Sequence, residues 1–170
     1  MLTPTRRRVL VGVTGSLTNL QAIRTAVDVA RERDAVLYAV HVWEPGRRLE
    51  RPPAAAPASG NFPRVLHVHK AFSEALGGLP RDVDVRLVVV EGQPEARLAR
   101  LGDKDTDLLV VGATTRTWRR PRLGDSVAGY CTRHARCPVL IVPPHEMARA
   151  ALARRDRGLV AVLTGRGSVT

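Results

Sequence analysis

The sequence has few aromatic residues and few cysteines, and each shortage excludes a class of protein. Phe, Tyr and Trp together make up 4% of the 170 residues, too few for the stacking platforms of single-strand nucleic-acid binders. The only two cysteines, Cys131 and Cys137, lack the partner spacing of a zinc site or a redox motif. We therefore expect two buried or half-buried thiols with neither role.

Long apolar runs are also missing. The longest, at residues 108–111 and 139–142, are far shorter than the roughly 20 residues that a membrane-spanning helix needs. Arginines at positions 6–8 precede a short apolar stretch, but no cleavage site follows it. The sequence therefore predicts a cytoplasmic protein without a membrane span.

Basic residues clearly outnumber acidic ones. The chain carries 27 Lys and Arg against 16 Asp and Glu, a formal charge of +11, which favours attraction to phosphates and other polyanions. Nearly all of the excess is arginine spread through the chain, a pattern that a GC-rich genome also produces. A basic nucleic-acid-associated protein therefore stays as the second alternative, with nucleic acid an unlikely partner because aromatic platforms and sequence-reading motifs are missing.

Short apolar runs alternate with stretches of helical periodicity along the first 144 residues. Strand-like runs occupy residues 8–13, 35–42, 83–90, 108–111 and 139–142, and helical patterns begin near residues 19, 65, 94 and 126. The runs are apolar throughout, so we expect burial on both faces of a parallel sheet. The sequence predicts one α/β domain with an open, doubly wound, Rossmann-like sheet of five parallel strands and helices on both faces.

Two segments depart from this alternation. Residues 47–63 are rich in Pro and Ala and predict a mobile loop. Residues 145–170 form an Arg- and Ala-rich C-terminal tail, in which residues 146–157 have the pattern of a helix and 159–163 that of a strand. The predicted domain therefore covers residues 1–144.

The segment after the fourth strand has the layout of a phosphate site. Gly112 ends the strand, a loop containing Arg116 and three further arginines follows, and Ser126 opens the next helix. Backbone N–H groups at that helix start and the Ser126 hydroxyl would face an anion, and the arginines would add positive charge. A purely structural interpretation stays open, in which Gly112 only turns the chain and Ser126 only caps the helix.

Signatures of catalysis and of metal binding are missing. The sequence contains no nucleophile elbow, no Walker loop and no Cys/His nucleophile pair. The five histidines do not cluster at ligand spacing, and His67 and His69 would point apart on a helix, so we expect surface histidines. The sequence therefore predicts neither an enzyme nor a metal site.

Three stretches resemble the universal stress protein (UspA-like) family. They are VLVGVTGS at residues 9–16, DLLVVG at 107–112 and HARCPVLIV at 134–142, in the family's order. The similarity covers about residues 6–144. It implies the adenine-nucleotide alpha-hydrolase-like type of the fold, a stress-response binding or regulatory role, and a homodimer in which strand Val139–Val142 pairs with its symmetry mate.

The resemblance also implies a nucleotide site, which this sequence matches only in part. ATP-binding members carry Gly-x-x-Gly, a nine-residue gap, Gly followed by Ser or Thr, and an Asp at the end of strand one. Gly112 and Ser126 match, whereas Thr14, Thr115 and Asp125 depart. The Thr115 side chain obstructs a close backbone approach, and the Asp125 carboxylate repels phosphate by about 1 kcal/mol or more at contact distance.

The departures leave two interpretations of this site. One is a dimeric module with weak binding of ATP or an AMP-type adenine nucleotide, and the alternative is a nucleotide sensor or weak ATPase. Gly124 lies one residue early and would serve only if the loop shifts register. The candidate nucleotide-binding residues are Gly12, Val13, Thr14, Val42, Gly112, Thr115, Arg116, Gly124, Asp125, Ser126 and Val127.

Overall fold

The computed structural model describes residues 6–45, 62–113 and 126–146, in which five strands alternate with four helices. The strands are β1 Arg8–Gly12, β2 Val36–Trp43, β3 Val85–Glu91, β4 Leu108–Gly112 and β5 Val139–Val142. The helices are α1 Leu17–Glu32, α2 Phe62–Leu76, α3 Pro94–Leu101 and α4 Val127–His134. Because α2 begins at Phe62, the predicted loop is wrong over its last two positions. Its other residues, and the predicted tail from residue 147 onward, lie outside the described residues.

The strands form one parallel sheet in the order β3-β2-β1-β4-β5. Val9 of β1 pairs with Leu37 of β2 on one side and with Leu108 of β4 on the other. The winding of the chain reverses between β1 and β4, and at such a switch point a crevice opens beyond the carboxyl ends of the strands. The predicted doubly wound, Rossmann-like sheet is confirmed.

Helices cover both faces of the sheet and enclose two cores. The core under α1 and α2 contains Phe72 and Val11, and the core under α3 and α4 contains Leu10 and both cysteines. Successive residues of one strand thus enter opposite cores, which explains why the strands are apolar throughout. Cys131 and Cys137 are buried and free, as expected, and burial raises the pKa of the Cys131 thiol to about 11.

Ion pairs join the amino ends of the strands. Arg8, at the start of β1, donates from Nε to Asp107 Oδ1 at 2.8 Å, and a terminal nitrogen of the same guanidinium contacts Asp107 and Asp103. Asp107 is only 1% exposed. Arg6 pairs with Asp34, which precedes β2, at 3.3 Å. This charged edge lies opposite the carboxyl edge, where the crevice opens.

Candidate functional site

Asn19 holds the β1–α1 loop (residues 13–16) at the carboxyl end of β1. Its side-chain Oδ1 accepts the Thr14 N–H at 3.1 Å, and its Nδ2 donates to the Gly12 carbonyl oxygen at 2.5 Å. The N-cap of α1 is Ser16. Asn19 is 4% exposed. The sequence signal that could have identified it is an asparagine in line with the apolar positions of the helix, because a buried amide needs hydrogen-bond partners.

The loop turns at Gly15, where the backbone leaves no room for a side chain. Its φ is +70°, a region that favours glycine, and a Cβ there would lie 2.6 Å from His67 Cε1 of α2. Beside it, Thr14 is exposed, and its Oγ1 lies 3.0 Å from Ser16 Oγ. The Thr14 hydroxyl therefore stands at the position where the family resemblance implies a carboxylate, with the Ser16 hydroxyl beside it.

His41 lies beneath this loop, so the prediction of surface histidines is wrong for it. It is 2% exposed, and its Nδ1 lies 3.0 Å from the Val13 carbonyl oxygen. Since a carbonyl only accepts, Nδ1 carries the hydrogen. Burial lowers the pKa of His41 below 6.5; the Val13 hydrogen bond opposes this shift, and His67 and Arg64 add to it. The central position of β2 in the sheet buries this polar residue.

His67 is the second histidine under the loop. Its ring centroid lies 4.8 Å from that of His41, with the two planes tilted by 47°. His67 is half-buried and His69 is exposed, so the two rings of α2 point apart as predicted. Sequence reasoning missed the pair because His41 and His67 come together only when α2 packs on β2.

The second part of the site comes from β4 and α4. Gly112 ends β4 opposite Val142, and the Ala113 N–H donates to the Val142 carbonyl oxygen at 2.8 Å. Ser126 is the N-cap of α4, and its Oγ accepts the Gly129 N–H at 3.1 Å. The capping role is therefore real. It uses an oxygen lone pair and leaves the hydroxyl hydrogen as a donor, so the same residue can also bind an anion.

The fold brings the described candidate residues to one edge of the sheet. β1 and β4 are neighbours, so the residues at their carboxyl ends flank one crevice, and α4 starts from the same edge. Val42, on β2, lies one strand away and packs against the core under α3 and α4. The residues at the crevice are Gly12, Val13, Thr14, Gly112, Ser126 and Val127, whereas Thr115, Arg116, Gly124 and Asp125 lie outside the described residues.

Other possible sites within the described ranges are missing or are lined by residues other than the candidates. Those ranges hold no group of three or more His, Cys, Asp or Glu that could bind a metal ion, and no helix with the length and apolar character to cross a membrane. A cavity of about 620 Å³ lies beside Asp103 and Arg136 at the charged edge. Another, of about 380 Å³, lies along β5. Neither is lined by the candidate residues at the crevice.

The parallel five-stranded sheet, with its crevice between β1 and β4, places the chain in the Rossmann-like class of α/β proteins. Within that class the sequence is specific. The model of the universal stress protein family matches residues 5–143, and the chain belongs to that family.

Relatives of known sequence agree with this assignment. The chain is 29% identical over 143 residues to a universal stress protein of Methanocaldococcus jannaschii, covering 80% of this chain and 81% of that protein. It is 32% identical over 142 residues to a universal stress protein of Mycobacterium tuberculosis, covering 82% of this chain but 49% of that protein. The chain thus spans about half the length of this mycobacterial relative.

Solved structures share the fold. A universal stress protein crystallised in complex with cAMP is 28% identical, with a TM-score of 0.59 over 82% of this chain and 98% of that one. A universal stress protein from Archaeoglobus fulgidus in complex with dAMP is 17% identical, with a TM-score of 0.54 over 80% and 97% of the two chains. At that identity the second structure supports the fold alone.

Proposed function

We propose that this chain is a stress-response binding and regulatory module that takes up an adenine nucleotide between β1 and β4. One observation carries the proposal: the β1–α1 loop and the capped start of α4 meet at the same edge of the sheet. A helix N-terminus directs N–H groups and a partial positive charge toward an anion. The cAMP complex of a protein 28% identical to this one supports the choice of ligand class.

The departures from the family's ATP motif favour a ligand of low charge. Thr14 offers a hydroxyl in place of a carboxylate, and Asp125 places a carboxylate one residue before the Ser126 cap in the sequence. Repulsion from that carboxylate grows with the number of phosphate charges nearby. Cyclic AMP or AMP should therefore bind more tightly than ATP.

The distribution of charge also favours an anionic ligand at this edge. Basic and acidic residues nearly balance within the described residues, so most of the charge of +11 belongs to residues 46–61, 114–125 and 147–170. Those segments join the described fold after the carboxyl ends of β2, β4 and β5 respectively. Because the strands are parallel, all three attachment points lie on the side of the crevice.

The described groups at the crevice suit binding better than hydrolysis. Residues 13–16, 112–113 and 126–128 contribute hydroxyl and backbone groups. Activation of a water molecule requires a positioned base, and no carboxylate, lysine or histidine occurs among these residues. The ATPase alternative therefore has no observation in its favour.

Isothermal titration with cAMP, AMP and ATP tests the nucleotide proposal. The decisive variant is Ser126→Asp, which keeps a capping side chain but adds a negative charge at the helix start. Ser73→Asp is the matched control, because it makes the same change at an exposed position on α2.

We expect Ser126→Asp to lower the affinity for cAMP by at least about fivefold, since one added charge at contact distance costs about 1 kcal/mol or more. Ser73→Asp should bind like the wild type. Absence of a heat signal for all three nucleotides would refute the proposal. Equal losses in the two variants would mean that net charge, not this crevice, governs binding.

We propose that the dimer implied by the family resemblance forms along the outer edge of β5. Among the described strands, β5 pairs with β4 alone. Leu109 N–H donates to the Pro138 carbonyl and Ala113 N–H to the Val142 carbonyl, so by alternation the Ile141 N–H points away from β4. That N–H is available to a second copy.

Sedimentation velocity of Ile141→Pro, compared with Val89→Pro on β3, tests this interface. Each substitution removes one outward N–H from an edge strand, a place where proline is tolerated. We expect Ile141→Pro to be monomeric and Val89→Pro to stay dimeric. A monomeric wild type, or a dimer that survives Ile141→Pro, would rule out this mode of pairing.

A further inference from the structure

The imidazoles of His41 and His67 support the β1–α1 loop from below. His41, on β2, bonds through Nδ1 to the Val13 carbonyl at 3.0 Å. His67, on α2, packs against both His41 and the loop: its centroid lies 4.8 Å from that of His41, and a Cβ on Gly15 would meet its Nε2 at 2.7 Å. The loop therefore rests on these two rings, which we call the histidine latch.

The latch has no place for an added proton. A protonated His41 would bear a full positive charge on a side chain that is 2% exposed. The adjacent His67 ring carries no negative charge that could compensate it, and the buried Nε2 of that ring has no hydrogen-bond partner among the described residues.

The groups that face the latch add positive charge. His41 faces His67 and Arg64, both from α2, and the guanidinium carbon of Arg64 lies 3.7 Å from the centroid of the Trp43 ring. On the loop side, residues 13–16 carry no titrating side chain, and Asn19 of α1 is neutral. Nothing among these groups would compensate a proton on either ring.

We propose that the histidine latch holds the β1–α1 loop closed while His41 is neutral and releases it when His41 is protonated. The loop forms one wall of the crevice, so acidification would open the site from below. The loop movement needs no ligand, whereas its effect on nucleotide affinity rests on the function proposed above.

The direction of the pH effect follows from the environment of His41. In the closed state its pKa lies below 6.5, and in the open state water restores the ordinary value near 6.5. The open state therefore binds more protons. The equilibrium constant for opening of the loop should be independent of pH well above pH 6.5. Below pH 6.5 it should rise by up to about tenfold per pH unit for each proton that opening takes up.

Hydrogen exchange of the Thr14 amide, followed by NMR, reports opening of the loop, because that N–H is bonded to Asn19 Oδ1 in the closed state. After correction for intrinsic exchange, we expect its protection to be constant from about pH 8 to 7 and to fall below pH 6.5, by up to about tenfold at pH 5.5. The His41 ring should titrate below 6.5, over the same interval. Constant protection down to pH 5.5, or a ring midpoint at or above 6.5, would overturn the proposal.

Two variants separate the latch from general acid effects. His41→Gln keeps a polar side chain that can donate to the Val13 carbonyl but does not titrate, so the fall in Thr14 protection should be largely lost. His69→Gln, on the exposed side of α2, should retain the full fall. The same fall in His41→Gln as in wild type would refute the role of His41, and the ring titration in the wild type decides the matter if this variant does not fold.

Titration with cAMP, whose single phosphodiester charge is constant over this range, connects the latch to the site. The affinity for cAMP should fall as the pH is lowered in the wild type and in His69→Gln, but much less in His41→Gln. If the Thr14 exchange behaves as expected and no cAMP binds at any pH, the nucleotide site is wrong and the latch stands. If cAMP binds equally at both ends of the range while the loop opens, the latch does not regulate this site.

Discussion

The contact between Gly15 and His67 predicts a large loss of stability when a single methyl group is added to the loop. A non-glycine residue in the left-handed region costs about 1–2 kcal/mol, and the φ of Gly15 is +70°. The new Cβ would also lie 2.6 Å from a ring atom of His67, and overpacking of this kind costs about 1–3 kcal/mol more. We expect Gly15→Ala to lower the free energy of unfolding by about 2–5 kcal/mol.

Gly77 supplies a matched control for the backbone part of this loss. Its φ is +80°, and a Cβ there would have no neighbour within 4 Å, so Gly77→Ala should cost only the conformational part, about 1–2 kcal/mol. Urea denaturation gives both free energies. In a His67→Ala background, the loss in free energy of unfolding caused by Gly15→Ala should become smaller, whereas the loss caused by Gly77→Ala should stay the same. Equal losses in the two single variants would refute the contact between the loop and His67.

Three further predictions concern the cap, the charged edge and the thiols. Ser126→Ala removes the cap of α4 and should destabilise the protein by about 1 kcal/mol in urea denaturation, whereas Ser126→Asp should not; equal losses would argue against the cap. Asp107→Ala should lower the free energy of unfolding by about 2–3 kcal/mol because it removes the buried partner of Arg8. The control Asp82→Ala, at an exposed pair with Arg31, should leave the urea midpoint nearly unchanged. Because burial raises the pKa of Cys131 to about 11, thiol reagents at neutral pH should react with it no faster than the protein unfolds; rapid reaction in the native state would contradict its burial.

The sequence was sufficient to predict the order of the elements and the parallel sheet. The strand-like runs carry β-branched and leucine residues without polar alternation, and this pattern has one common solution, a sheet covered on both faces. The ends of the elements were less accurate. α2 starts at Phe62 and includes Pro63, because proline is tolerated in the first turn of a helix, whereas composition alone had assigned both residues to the loop.

The site was predictable where it depends on neighbouring residues in the sequence. Ser126 stands directly before a helical pattern, so its role as a cap could be inferred from position. Asn19 is a local case as well, because it reaches back seven residues to the Gly12 carbonyl. His41 depends instead on long-range packing, because it reaches from β2 to Val13. A single sequence contains no direct signal for that contact, and the exposed surface was the wrong default for a histidine inside an interior strand.

The ion pairs around Arg8 and Arg6 lie at the amino ends of the strands, opposite the edge that carries Thr14 and Ser126. Because of this separation, a substitution at Thr14 can change the polar groups of the crevice without disturbing the ion pairs that stabilise the opposite edge. Thr14 is exposed and belongs to neither core, so its replacement changes the chemistry of the crevice at little risk to the fold. An engineer who wished to restore the family's carboxylate could begin with Thr14→Asp and leave the opposite edge untouched.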